Sequence, residues 1–169
     1  MRQFRIGLST ALAVYAVAML ASPGVSFLLD EFNLPVREAG QLVFAPLGGS
    51  MRLLGGIVLP ILLPLLFGAL YSGRRDEHAA SVAAWCVGQG FSTMGLRMAD
   101  APSTVTPVAN MDRDWTVLFS EWGVLGEALQ FGQLAHGFGF LVMLVATFWG
   151  ISEALGARNR LAMVKSRYR

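Results

Sequence analysis

Charged residues are scarce in this sequence: 13 Lys and Arg and 11 Asp and Glu make up 14% of 169 residues. An average soluble domain is about 25% charged, and the mean hydropathy here is +0.55. A chain of this size cannot hide so many apolar side chains in one core, so part of its surface must be apolar. The composition therefore excludes an ordinary soluble domain and favours an integral membrane protein. The net charge of +2 gives no reason to expect nucleic-acid binding.

Cysteine and histidine are scarcer still. The single cysteine, Cys86, cannot form an intramolecular disulfide. His78 and His136 are the two histidines, and no Cys and His cluster has the spacing of a zinc site. The sequence also lacks a nucleophile elbow, a Walker loop and a GxGxxG motif after a strand. These absences leave catalytic residues, metals and cofactors unassigned.

Four windows are long and apolar enough to cross about 30 Å of hydrocarbon, and none contains Asp, Glu, Lys or Arg. The windows are Ile6–Leu29, Leu53–Tyr71, Ala79–Leu96 and Ala128–Ser152. Backbone amides in lipid must bond within their own segment, so we expect each window to be a helix. We therefore predict an all-α integral membrane protein in which residues 1–169 form a single four-helix bundle.

The charges alternate between the segments that connect these windows. Nine basic residues lie before the first window, between the second and third, or after the fourth: Arg2, Arg5, Arg74, Arg75, Arg158, Arg160, Lys165, Arg167 and Arg169. Eight acidic residues lie in the two opposite segments: Asp30, Glu31, Glu38, Asp100, Asp112, Asp114, Glu121 and Glu127. By the positive-inside rule, the basic segments and both termini face the cytoplasm, and we expect a bacterial inner membrane.

The two opposite segments should carry structure of their own. They are Asp30–Arg52 and Ala99–Glu127. The first contains an apolar run that is too short to span, which predicts an interfacial or re-entrant piece. In the second, Asp112 or Asp114 is placed to begin a short amphipathic helix that ends near Gly123.

The second window contains helix-disturbing residues at a regular interval. They recur every four residues and so share one helical face: Gly56, Pro60, Pro64 and Gly68. Each proline frees the carbonyl four residues earlier, and freed carbonyls in broken helices can coordinate a cation or a solute. The alternative is packing or a kink, which is the common role of Pro and Gly in membrane helices.

The third window carries a polar stripe. Cys86, Gln89, Thr93 and Arg97 advance by three, four and four residues and therefore share one narrow helical face. Polar groups within a span must face protein or water. They either hydrogen-bond across helices or line the route of a solute or a quinone headgroup.

The fourth window places His136 about two turns into the span, after Gln130 and Gln133. At that depth a histidine either satisfies an interhelical hydrogen bond or handles a ligand or a proton. Four outer carboxylates offer weak candidates for a hard-cation site: Asp112, Asp114, Glu121 and Glu127. Their spacing matches no calcium loop, and a solvated acidic face is the alternative.

The leading hypothesis is a non-enzymatic accessory or small transport subunit that uses the polar faces of the third and fourth spans as its interaction or solute surface. Such a chain is expected to associate with itself or with other membrane subunits. The alternative is a membrane enzyme or redox subunit that acts on a lipid or quinone near the outer interface through His136 and nearby carboxylates. The first is favoured because no nucleophile and base stand at a recognisable spacing.

Overall fold

The computed structural model describes residues 2–21, 28–74, 76–103 and 113–167, with side chains for residues 3–21, 33–74, 76–103 and 114–156. Six helices make up almost all of these residues: α1 (Arg2–Ala21), α2 (Leu28–Phe44), α3 (Gly49–Gly73), α4 (Glu77–Asp100), α5 (Arg113–Glu121) and α6 (Ala128–Arg167). Short 3-10 turns at Ala45–Leu47 and Leu125–Glu127 lead into α3 and α6. The described ranges contain no strand, which confirms the predicted all-α class.

Three helical segments are long and apolar enough to cross a membrane: Gln3–Ala21, Gly49–Gly73 and Leu125–Gly156. The third predicted window lies in α4, which is long enough but less apolar than these three. α4 packs between α3 and α6, and much of it is buried. Because these two helices cover it, α4 can carry polar residues such as Ser81, Gln89 and Ser92 along its length.

The first predicted span was too long at its C-terminal end. α1 ends at Ala21, residues 22–27 lie outside the described residues, and Leu28 and Leu29 already belong to α2. A run without charges shows where a span is possible, but it does not mark an interruption within the run.

Most of the predicted interfacial or re-entrant segment is helix α2, which packs antiparallel to the first half of α3. The two helices approach closely at Gly40, where a Cβ would stand 2.8 Å from the carbonyl carbon of Gly55. Near the start of α2, the Asn33 amide donates to Gln89 Oε1 at 3.4 Å. Because Gln89 lies in the middle of α4, α2 extends to about the middle of the bundle.

The short helix predicted in the second opposite segment is confirmed as α5. Gly123 follows it with φ of +70°, a left-handed conformation that glycine adopts without strain. Trp115, Leu118 and Phe119 on α5 are buried against hydrophobic residues of α3 and α4. α5 therefore covers one end of the bundle.

The two ends of the bundle differ in charge. Arg5 of α1 pairs with Asp76 at the start of α4, and Gly150 in the later part of α6 lies against Ser81. These contacts place Arg5 and Arg74 at one end, which we call the basic end. The opposite end, called the acidic end, holds Asp100, Asp114, Glu121 and Glu127.

Candidate functional site

A row of three cavities, each open on one side, lies along the groove between α3 and α4. The outer cavity, at the acidic end, has a volume of about 60 Å³. The middle cavity has about 200 Å³ and the inner cavity, at the basic end, about 700 Å³. Asn33 and Pro60 line both the outer and the middle cavity, and Pro64 and Cys86 line both the middle and the inner one. The cavities therefore follow one another along the bundle.

The polar stripe of α4 faces this row. Cys86 lines the inner and middle cavities, Gln89 the middle cavity, and Thr93 and Arg97 the outer cavity. The spacing of three, four and four residues explains the arrangement, since it keeps all four side chains on the face of α4 that is turned toward α3.

The outer cavity has an arginine on each of two helices. Arg97 comes from α4, and Arg37 comes from α2. Arg37 Nη2 donates to Asp114 Oδ2, to which Gln41 Nε2 also donates at 3.3 Å. The side chains of Arg37 and Asp114 are only 14% and 11% exposed, so this is a largely buried ion pair. It joins α2 to α5 at the acidic end.

A chain of hydrogen bonds separates the outer cavity from the middle one. Asn33 Nδ2 donates to Gln89 Oε1 at 3.4 Å, and Gln89 Nε2 donates to Thr93 Oγ1 at 3.1 Å. Gln89 is only 2% exposed. Both ends of its amide are therefore satisfied by neighbours, which removes the cost of burying an unpaired polar group.

The inner cavity is lined by both apolar and polar residues. Leu8, Phe67 and Val82 contribute the apolar part. At the basic end, Arg5 Nη2 donates to Asp76 Oδ1 at 3.3 Å, and both side chains are more than a third exposed. Asp76 also accepts from the backbone N–H of Ala79 and so caps α4. The inner cavity is the largest of the three cavities.

The Gly and Pro face of α3 is divided between packing and the cavities. Gly56 packs on α2, where a Cβ added to the glycine would stand 2.7 Å from Gln41 Cγ. Gly68 packs on α4, where an added Cβ would stand 3.3 Å from Ala83 Cβ. Pro60 and Pro64 lie between them and line the cavities. Neither proline interrupts α3, which is continuous over 25 residues.

The polar residues of the fourth predicted span lie elsewhere. His136 Nδ1 is 2.8 Å from Ser92 Oγ and 3.2 Å from the backbone oxygen of Ser92, on the side of α4 that faces α6. Gln130 and Gln133 are exposed. The two polar faces predicted on the third and fourth spans are therefore separate surfaces.

The outer carboxylates make separate contacts. Asp114 accepts from Arg37 and Gln41, and Glu121 Oε2 accepts from Ser50 Oγ at 2.6 Å. Glu127 is exposed, and Asp112 lies outside the described residues. Within the part of the chain that the structure describes, no three His, Cys, Asp or Glu side chains form a group that could hold a metal ion.

The sequence analysis missed the contribution of α2 to this site. Asn33, Arg37 and Gln41 recur every four residues and so share one helical face, just as the stripe on α4 does. This spacing was a usable signal. It was not recognised because the segment was expected to lie at the interface rather than against the polar face of another helix.

Comparison with family models, with curated proteins and with solved structures finds no match to this chain. The residues around the cavities are therefore the basis for inferring a function.

Proposed function

We propose that this chain is a four-span protein of the bacterial inner membrane, with both termini in the cytoplasm, that acts as a small transport or accessory subunit. It is non-enzymatic, it associates with copies of itself or with other membrane subunits, and it uses the row of cavities between α3 and α4 as its solute surface. One observation carries the proposal. The whole polar stripe of α4 lines cavities that extend from the acidic end to the basic end.

The length of α4 supports its role as the fourth span. Its 24 residues rise about 36 Å, which exceeds the roughly 30 Å of a hydrocarbon core. A span that is covered by neighbouring helices does not need the apolar composition of a lipid-facing one. With four spans, the basic end faces the cytoplasm by the positive-inside rule.

The decrease in cavity volume from the basic end to the acidic end supports a solute route. Polar side chains inside membrane proteins commonly line substrate pathways or water-filled spaces. Here the inner cavity is wide, and the hydrogen-bonded residues Asn33, Gln89 and Thr93 form a constriction before the small outer cavity. Selectivity in membrane proteins commonly comes from such narrow points and from the donors and acceptors around them.

The thiol of Cys86 provides a test, because it is the sole cysteine and lines both the inner and the middle cavity. We would expose oriented membrane vesicles to 2-(trimethylammonium)ethyl methanethiosulfonate, which does not cross membranes and reacts with the thiolate in water. We expect Cys86 to react, and to react faster from the basic end than from the acidic end because the inner cavity is the wider one.

A cysteine at the same level that faces lipid is the matched control. Leu66 is exposed on α3, beside the cavity-lining residues Pro64 and Phe67. In a Cys86→Ser background, a Leu66→Cys variant should react at least about tenfold more slowly than the native Cys86, because lipid excludes the charged reagent and the thiolate. Equal rates at the two positions would contradict a water-accessible route.

A further inference from the structure

We infer that the outer cavity binds an oxyanion group, a carboxylate or a phosphate, between Arg37 and Arg97. The inference rests on the proposed function, because it assigns a chemical class to the solute at one end of the row. It differs from the sequence hypothesis, which placed possible ligand chemistry on His136 and on the outer carboxylates.

The charges around the cavity are the first observation. Among the described residues that line it are two arginines and no carboxylate. Asp114 is not among the lining residues, and it accepts hydrogen bonds from Arg37 and Gln41. Guanidinium groups on two different helices therefore line the same small space.

The surroundings strengthen the attraction of this space for an anion. The remaining lining includes the apolar side chains of Leu34, Ile57, Ile61 and Met94. Arg37, Arg97 and Asp114 together carry a net charge of +1, and low-dielectric sides strengthen the field of that charge. The planar fork of arginine also matches the geometry of a carboxylate or a phosphate, to which it can donate two parallel hydrogen bonds.

The size of the cavity limits the ligand. About 60 Å³ holds roughly four water-sized spheres. This is space enough for a carboxylate or phosphate group, and because the cavity is open on one side, the rest of a larger molecule can lie outside it. The group therefore belongs either to a small free anion or to a larger molecule that enters only with its charged end, as a lipid headgroup would at the membrane surface.

Ligand-dependent stability of the purified full chain in dodecyl maltoside, which carries no charge, tests the inference. We would titrate sodium phosphate or sodium acetate against sodium chloride of equal ionic strength and record the thermal midpoint. A ligand that binds only the folded state raises this midpoint in a saturable way. We expect a rise of about 3 °C or more for wild type with at least one of the two anions.

Variants within the site and outside it separate specific binding from a general salt effect. Arg97→Gln should abolish the anion-dependent rise, and Arg97→Lys should keep the charge but weaken binding roughly tenfold, because it lacks the fork. Arg52→Gln, on an exposed arginine of α3 outside the cavity lining, should respond as wild type does. Each shift is measured within one variant, so a change in its baseline stability does not enter.

A second arm distinguishes a lipid headgroup from a free anion. Phosphatidylglycerol would be added to the micelles and compared with a neutral diacylglycerol of the same chains. A rise specific to phosphatidylglycerol that Arg97→Gln removes supports a lipid headgroup, and a response to phosphate or acetate that the lipid does not alter supports a free anion. If wild type and Arg97→Gln respond identically to every ligand, the inference is wrong.

The two proposals fail separately. If Cys86 reacts with the water-soluble reagent but no anion response depends on Arg97, the route remains and the oxyanion site is lost. If the anion response depends on Arg97 but Cys86 does not react, the site remains as a surface site and the route is lost.

Discussion

α4 packs on two helices in opposite ways. On one side, Gly88 and Gly95 bring its backbone against the backbone of α6 at Gly139 and Gly132. On the other side, the polar stripe faces α3 across a row of cavities. The contrast shows how one helix can be held rigidly by one neighbour while it leaves space beside another.

The close side depends on the spacing of its glycines. The two glycines of each helix stand seven residues apart, so each pair lies on one face over two turns. A Cβ on Gly88 would stand 2.7 Å from the Gly139 carbonyl oxygen, which leaves no room for any side chain. In lipid, where apolar burial gives no driving force between helices, such close packing is a main source of association.

On the open side, α3 has prolines at positions where small residues would let α3 and α4 approach each other closely. Pro60 and Pro64 line the cavities, while Gly68 packs near Ala83 of α4 and Ile61 packs near Gly90 of α4. On this side, the side-chain amide of Gln89 accepts a hydrogen bond from Asn33 of α2 and donates one to Thr93. We therefore expect substitutions on the two sides of α4 to differ in kind as well as in size.

The largest loss of stability is expected when the glycine contact between α4 and α6, on the close side, is disrupted. A Cβ at Gly95 would stand 2.6 Å from the Gly132 carbonyl oxygen and closer still to the backbone nitrogen of His136, and backbone atoms cannot move aside. Gly95→Val should lower the free energy of unfolding by at least about 3 kcal/mol. Reversible unfolding in sodium dodecyl sulfate, followed by circular dichroism, would measure it.

Gly137 on α6 is the matched control, since a Cβ there would meet nothing within 4 Å. Gly137→Val should change the free energy of unfolding by less than about 1 kcal/mol. Similar losses for the two variants would mean that valine itself, and not the contact between α4 and α6, causes the effect.

A smaller loss is expected when the ion pair at the acidic end is broken. Removing one partner of a buried pair costs about 3–5 kcal/mol. Because the side chains of Arg37 and Asp114 are still 14% and 11% exposed, we expect Asp114→Asn to cost less than this range, about 2 kcal/mol. Chemical denaturation of the purified variant would measure this difference.

The ion pair at the basic end sharpens this prediction. Arg5 and Asp76 are 37% and 39% exposed, so Arg5→Gln should cost less than about 1 kcal/mol. Added salt should raise the ratio of the loss at Asp114 to the loss at Arg5, because it screens the exposed pair more strongly than the buried one. A larger loss at Arg5 than at Asp114 would contradict the assignment of the buried pair.

Helices α3, α5 and α6 were predictable because their signals are local. Runs without charge marked the apolar segments of α3 and α6, and Gly123 marked the end of α5. The stripe on α4 was equally visible, since it needs only helical spacing. Its composition also explains why α4 is not among the helices that are apolar enough to span on their own.

The site could not be assembled from the sequence, because its contacts join distant positions. Arg37 meets Asp114 from 77 residues away, and Asn33 meets Gln89 from 56. Local spacing placed these residues on helical faces but did not indicate which faces meet. His136 illustrates the same limit, since the sequence left two roles open and only the packing of α6 on α4 brings it to Ser92.

Substitutions of two hydrogen-bonding residues of α4 should separate an effect on stability from an effect on the access of the thiol reagent to Cys86. Ser92→Ala loses the contact between Ser92 Oγ and His136 Nδ1 on the close side, and Gln89→Leu loses the bonds to Asn33 and Thr93 on the open side. Each should cost about 1 kcal/mol. Only Gln89→Leu should also change the rate at which Cys86 reacts with the water-soluble thiol reagent. A change of that rate in Ser92→Ala would show that the two sides are not independent.

The smallest effect is expected at Gly68, a glycine of α3 that packs on α4 on the open side. A Cβ at Gly68 would stand 3.3 Å from Ala83 Cβ, a contact that a small shift relieves, and alanine gains up to about 1 kcal/mol in helix propensity. Gly68→Ala should therefore change the free energy of unfolding by less than about 0.5 kcal/mol, while Gly88→Ala on the close side should lose about 2 kcal/mol. If both variants lose the same amount, α3 holds α4 as tightly as α6 does. The space between α3 and α4 would then be too rigid to admit a solute, and the difference between the two sides of α4 would have no functional meaning.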